Sequence, residues 1–288
     1  MSLDDELSDL LIISLEQAVA APYCGLLLAS AGARVIKVER PEGDFARSYD
    51  NSINGKSAIF AWLNRGKESI SLDLKNKTDK KIFKNMLKKA DVFLSNLTPG
   101  SLEKLELDYK QVKALNPKLI FCEITGYGNS KLAHSKKAYD FLIQAESGLC
   151  SVTGTEKYPS KVGISITDLS TGLTAYSAIL RGIIKRSKTK KGISISISMF
   201  DVMADWMNMP LLAHRYMGGT PKRNGMKHSF IAPYGTFKCK NNDEILISIQ
   251  NNREFEVFCK KILKNQNLFK NPKFQDNPNR YKNRNELD

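Results

Sequence analysis

Asp168 is the residue of this chain best placed to do chemistry. It stands within KVGISITDLSTGLTAYSAILRGIIKR, residues 161–186, where two sequence periods meet. Val162, Ile164 and Ile166 alternate with Gly163, Ser165 and Thr167, the pattern of a half-buried strand. From Leu169 onward, Leu173, Tyr176, Ile179, Leu180, Ile183 and Ile184 recur at helical spacing. A carboxylate at a strand-to-helix junction meets free backbone N–H groups and the positive end of the helix dipole. That setting is expected to keep Asp168 ionised and aimed outward, as a nucleophile requires. An N-cap would sit in the same place, with Ser170 and Thr171 as competing caps. Local pattern leaves both readings open, capping being the commoner role.

The elements that must position such a carboxylate follow from periodicity. Residues 10–40 read strand, helix, strand: LLIISL, then APYCGLLLASAG ending at Gly32, then ARVIKVE closing on Arg40 and Pro41. A βαβ unit of about this size is a parallel crossover. It lacks GxGxxG, so a dinucleotide-binding reading is weak. Its first loop carries Glu16 and Gln17, where a ligand sits in an open α/β sheet. ESISLDL, DKKIFKNMLKKA and DVFLSNL form a second such unit. Asn96, Pro99 and Gly100 then turn the chain into short helices, and LIFCEIT is another strand. A polar loop over Asn129–Lys137 leads to the helix AYDFLIQAESGL, with Tyr139 and Asp140 near its start.

After the Asp168 helix, ISISIS is a strongly alternating strand and FDVMADWMNMPLLAHRYM one helix, whose methionines are assigned to packing. The texture changes at Gly218, which places a boundary near 220. Residues 1–220 read as a large α/β domain, and 221–288 as the beginning of a smaller α+β one. The latter offers two strands, YGTFKCK and EILISIQ, and a helix over Arg253–Leu263. The final stretch, NPKFQDNPNRYKNRNELD, is polar and is expected to close no sheet and cap no core.

With 288 residues, 42% hydrophobic and 26% charged, the chain has an ordinary globular composition. Its acidic N-terminus is unlike a secretory leader, and no apolar run is long enough to span a membrane. Cys24, Cys122, Cys150, Cys239 and Cys259 lack CxxC spacing and read as reduced thiols in a cytoplasmic protein. His134, His214 and His228 are too dispersed to suggest a metal site. The net charge of +14 invites a nucleic-acid reading, but the lysines are scattered and no recognition motif accompanies them. A polyanionic small ligand fits the same charge.

Several blocks taken in order carry a resemblance. LEQAVAAPYCGLLLASAGARVIKVERPEGDFAR, NRGKESISLDL, ADVFLSNLTPGSLEKLEL, NPKLIFCEITGYG, KAYDFLIQAESGL and VGISITDLSTGL resemble the family III CoA-transferases of the formyl-CoA transferase (CaiB/BaiF-like) type. The resemblance runs from about Leu11 to the end. EQAVAAP, GDFAR, KAYD and KVGIS look closest to members acting on small dicarboxylates such as succinate, mesaconate, malate or itaconate.

The resemblance implies a Rossmann-like open parallel sheet followed by a smaller domain, assembled as an interlocked homodimer. Asp168 would be the catalytic residue, with CoA contacts at Gln17, Arg40, Leu72, Asn96, Leu97, Lys137 and Tyr139. Lys104 stands where the formyl-CoA enzyme has arginine, which keeps the charge but loses the bidentate fork. Gly218, Gly219 and Gly225 are candidates to hold oxyanions. Asp140 is either a helix-terminal charge or a partner to the acyl-aspartate. CoA and a carboxylic acid are implied as substrates, with no tightly bound cofactor, metal, nucleic acid or membrane. Related racemases carry a histidine where this chain has Tyr139, a poor base with an ordinary pKa of about 10. That favours transferase over racemase, the remaining alternative being an inactive CoA-binding subunit. Family members continue well beyond this C-terminus, so the resemblance implies a fragment, an incomplete gene or half of a split enzyme.

Overall fold

The computed structural model describes residues 5–128, 130 and 136–288. The polar loop expected over Asn129–Lys137 lies outside them, apart from Ser130, Lys136 and Lys137, as does His134. Two compact units form, one from Met1–Leu149 with Val162–Asn208, the other from Cys150–Lys161 with Met209–Asp288. The division falls ahead of the change of texture near 220, and one short internal segment goes with the second unit.

The chain begins with β1 (Leu11–Leu15), α1 (Ala20–Ser30), β2 (Arg34–Glu39), α2 (Ala58–Asn64) and β3 (Glu68–Ser71). Next come α3 (Lys77–Leu87), β4 (Val92–Ser95), α4 (Ser101–Lys104), α5 (Tyr109–Leu115) and β5 (Ile120–Thr125). There follow α6 (Asp140–Glu146), α7 (Leu149–Val152), α8 (Ile166–Thr189), β6 (Ile193–Ser198) and α9 (Met199–Trp206). The strands of the first unit make one parallel six-stranded sheet in the order β3-β2-β1-β4-β5-β6, the doubly wound α/β arrangement.

Successive strand residues face opposite sides. Ile12, Val35, Leu94 and Cys122 pack with α1 and α8, whereas Ile13, Val38, Phe93 and Phe121 pack with α3 and α5. Phe93 meets both Phe83 and Phe121 edge-on, at 5.6 and 5.5 Å between ring centres.

Three expectations fail here. Residues 162–165 belong to no strand; α8 starts at Ile166, and Asp168 lies in its first turn rather than capping it. Ser170 and Thr171 are not caps either, since their hydroxyls bond back to Thr167 O at 3.1 and 2.6 Å. The single helix expected over Phe200–Met217 is broken at Met207, giving α9 and α10 (Asn208–Tyr216). Pro210 explains the break, because its ring collides with the carbonyl four residues earlier.

α8 crosses α1 at Gly172, one turn beyond Asp168. A β-carbon there would lie 2.5 Å from Ala20 O and 3.2 Å from Cys24 N, both backbone atoms of α1. Gly172→Ala is therefore expected to lower stability by about 1–3 kcal/mol in denaturant unfolding, through overpacking at the crossing that seats Asp168.

The second unit contains the antiparallel pair β7 (Tyr234–Lys238) and β8 (Glu244–Ser248), then α11 (Asn252–Lys261), α12 (Gln266–Lys270), α13 (Asn277–Lys282) and α14 (Arg284–Leu287). Arg223 ties in the internal segment by donating to the carbonyls of Ser151, Thr155 and Glu156. Contrary to expectation, the polar last stretch does close a core. Phe274 packs with Ile249, Phe255 and Cys259. The fully buried Arg280 donates to Ala232 O, Phe274 O and Asn252 Oδ1 and stacks 4.6 Å from the Phe255 ring centre. Its asparagine-rich composition hid an arginine that satisfies buried carbonyls.

Candidate active site

The strand order reverses between β1 and β4, so a crevice opens beyond their C-terminal ends. Gln17 follows β1 there, and Asn96 follows β4. A cleft of about 380 Å³ brings together Gln17, Asn96, Leu97, Lys137, Tyr139, Asp140 and Asp168. An adjoining slot of about 230 Å³ is walled by Leu15, Val38, Leu72, Leu74 and Leu105, with Arg40 on its lining, and shares Gln17 and Leu97 with the cleft. Lys104 is exposed on α4 and lines neither. Gly218, Gly219 and Gly225 belong to the second unit.

Asp140 is the organising group. Its Oδ1 accepts from Thr167 N at 2.8 Å, Thr167 Oγ1 at 2.6 Å and Asp168 N at 3.3 Å. Its Oδ2 accepts from Gln144 Nε2 at 2.7 Å. Ser165, at the N-cap of α8, makes no side-chain cap bond, so Asp140 caps that helix from another element. Asp168 differs: among the described residues nothing bonds its carboxylate, which lines the cleft.

Burial, reinforced by the nearby Asp140 charge, pushes the Asp168 carboxyl up from its ordinary 3.8 to about 7. This corrects the expectation that the helix start would simply keep it ionised. Partial desolvation beside a like charge outweighs the dipole. A carboxylate made this basic is a stronger nucleophile once it has lost its proton.

Asn96 has a different job from the one expected. Its Nδ2 donates to Gln17 O at 2.8 Å and its Oδ1 accepts from Gln17 N at 2.9 Å, so the carboxamide pins the β1–α1 loop. The Glu16 carboxylate is taken up by buried lysines. It is buried, with Oε1 2.6 Å from Lys67 Nζ and 3.8 Å from Lys37 Nζ. Lys37 in turn lies 2.7 Å from Asp44 Oδ2, and Asp44 Oδ1 accepts from Ala18 N and Ala46 N. These buried charges hold the loop and the 3-10 turn Phe45–Ser48 together.

That turn supplies wall residues that sequence reasoning missed. Phe45 and Tyr49 line the cleft, as do Thr98, Lys136 and Met199. GDFAR stands out as a block, but nothing in the pattern singles out Tyr49. Burial, then the charges of Asp44 and Asp168, push the Tyr49 phenol up to about 12, so it remains a hydrogen-bond donor at neutral pH. Lys136 lies 2.6 Å from Glu146 Oε2 and 4.3 Å from the Tyr127 ring centre.

Fold and site together define a doubly wound α/β protein with a paired-carboxylate cleft at its topological switch point. The chain belongs to CoA-transferase family III, whose model matches residues 7–288. Succinyl-CoA:glutarate CoA-transferase of Mus musculus is 37% identical over 281 residues, covering 96% of this chain and 64% of the mouse protein. Acetyl-CoA:oxalate CoA-transferase of Acetobacter aceti is 34% identical over 282 residues, covering 96% of this chain and 72% of its own length. This chain thus spans a little under two-thirds of the mouse relative. A crystal structure of a CAIB/BAIF family protein from Brucella suis superimposes with a TM-score of 0.84 at 34% identity, over 99% of this chain and 76% of that one. Among the described residues no helix is long and apolar enough to cross a membrane, and no group of three or more His, Cys, Asp or Glu could hold a metal.

Proposed function

We propose that this chain transfers CoA from an acyl-CoA thioester to a carboxylic acid, with Asp168 as the covalent nucleophile. The observation that carries the reading is the Asp168 carboxylate in the cleft, unbonded among the described residues, beside an Asp140 whose two oxygens both accept hydrogen bonds. Asp168 attacks the thioester carbonyl, the C–S bond breaks, and CoA leaves as thiolate from a mixed anhydride. The thiolate then attacks the aspartyl carbonyl and expels the donor acid, leaving an aspartyl-CoA thioester. An acceptor carboxylate attacks that thioester and releases the thiolate again. Thiolate attack on the acceptor's acyl carbon forms the new acyl-CoA and restores Asp168.

The apolar slot beside Arg40 suits the adenine end of CoA, and Lys137 suits its phosphates. The protonated Tyr49 can donate to oxygens that gain charge during acyl transfer. A small dicarboxylate acceptor is supported by glutarate and oxalate in the relatives' names and by the lysines on the cleft.

Incubation with succinyl-CoA followed by peptide mass spectrometry should find CoA or the succinyl group on Asp168. An unmodified Asp168 together with undiminished transfer in Asp168→Ala would overturn the proposal. The pH dependence has a definite sign, because only the carboxylate attacks. Adduct formation should rise with pH through about 7 and level off near about pH 8–9, as single-turnover rates can show.

A further inference from the structure

Gln144 lies wholly buried on α6 and carries no chemistry of its own, yet both ends of its carboxamide are committed. Nε2 donates to Asp140 Oδ2 at 2.7 Å, and Oε1 accepts from Val162 N at 2.9 Å. It therefore joins the segment that enters α8 to the carboxylate that caps α8. The chain of bonds runs from Val162 through Gln144 and Asp140 to Thr167 and Asp168. A donor and an acceptor are needed at once, and glutamine supplies both. Glutamate would set a second carboxyl against Asp140, and an apolar side chain would remove both the bond to Asp140 Oδ2 and the bond from Val162 N.

We propose that Gln144 is a positioning residue for Asp168, acting through Asp140. By holding Oδ2 it keeps Oδ1 under the first turn of α8, which fixes where the nucleophile stands and what charge it faces. Among the described residues, the titratable groups sharing the cleft with Asp168 are Tyr49, Tyr127, Lys136, Lys137, Tyr139 and Asp140. The first turn of its own helix carries no other charged side chain. Asp140 alone among these groups bonds the Asp168 backbone, so it is the route by which a distant side chain can act. Gln144 thus governs Asp168 without touching it.

The catalytic part of this inference rests on the transferase reading, but its first test does not. The thermal midpoint of Asp168→Asn relative to its parent is followed from roughly pH 5 to pH 8. The gain from Asp168→Asn should grow as pH rises. In a Gln144→Met background that growth should shrink measurably, by less than half, because Asp140 is no longer held against α8 while the burial of Asp168, the larger cause, remains. An unchanged gain, or no gain in the parent, overturns the proposal. Thr167→Val removes one of the bonds to Asp140 Oδ1 with little change of volume and should act in the same direction. It decides the matter if Gln144→Met does not fold. With succinyl-CoA as donor and glutarate as acceptor, Gln144→Met should lower kcat about tenfold or more with KM within about twofold. A raised KM at unchanged kcat counts against positioning. Absence of any Asp168 adduct in the parent, with the pH-dependent gain intact, would remove the transferase reading and leave the positioning role standing.

Discussion

Asp168→Asn is expected to abolish CoA transfer, by about 10⁴-fold or more, while acyl-CoA binding changes little. Asparagine keeps the shape of the side chain but cannot form the anhydride, so no adduct should appear by mass spectrometry. The same substitution should stabilise the protein at high pH, and the sign follows from proton binding. The carboxyl ionises at about 7 in the folded chain and ordinarily at 3.8. Between those values the folded state holds the extra proton, so its stability falls as pH rises. Above both, the penalty is bounded near ~4 kcal/mol, and partial solvent access brings it to roughly 2–3 kcal/mol. Asp168→Asn removes that penalty. Its thermal midpoint should therefore exceed the parent's at about pH 8 and converge with it near about pH 4. Lost activity with gained stability is the pattern of a functional carboxylate kept at a cost to the fold.

Lys37→Met should have the largest effect on stability, a loss of about 3–5 kcal/mol in denaturant unfolding. Lys37, Asp44 and Glu16 have essentially fully buried side chains. Without the ammonium, Asp44 keeps only the backbone donors of Ala18 and Ala46, and its other oxygen is left buried and unpaired. Glu16 retains Lys67 at 2.6 Å, so the damage centres on Asp44. Lys37→Met combined with Asp44→Asn should recover part of the loss, and this coupling measures the pair. Function should suffer with stability. Asp44 caps the Phe45–Ser48 turn that leads to Tyr49, so a loosened turn should raise the KM for acyl-CoA. Equal stability of Lys37→Met and the parent would show that the buried network is dispensable.

Much of the first unit was legible in the amino-acid order because its determinants are local. A continuous apolar run marked β1, strict alternation marked β3 and β6, and helical spacing marked α8. A strand's two faces and a helix's one stripe are properties of the neighbouring residues themselves. The place of Gln17 was legible for a related reason, since the loop after the first strand of an open parallel sheet faces the ligand crevice, whereas Asn96 was implied only by the family resemblance. Alternation misled at residues 162–165, where the approach to α8 bends at Gly163 and Ile164 and pairs with no strand.

What the order of residues could not convey is contact between distant segments. Asp140 caps α8 across 27 residues of sequence, which no local capping rule anticipates. The carboxamide of Asn96 is taken up by the Gln17 backbone 79 residues away, although its type alone suited a ligand. Arg280 closes the core of the second unit from a stretch that composition marked as merely polar. The sequence by itself determined that Asp168 begins a helix beside an open parallel sheet. Tertiary structure alone decided its proton affinity, because that depends on the water removed around it and on Asp140 brought against it.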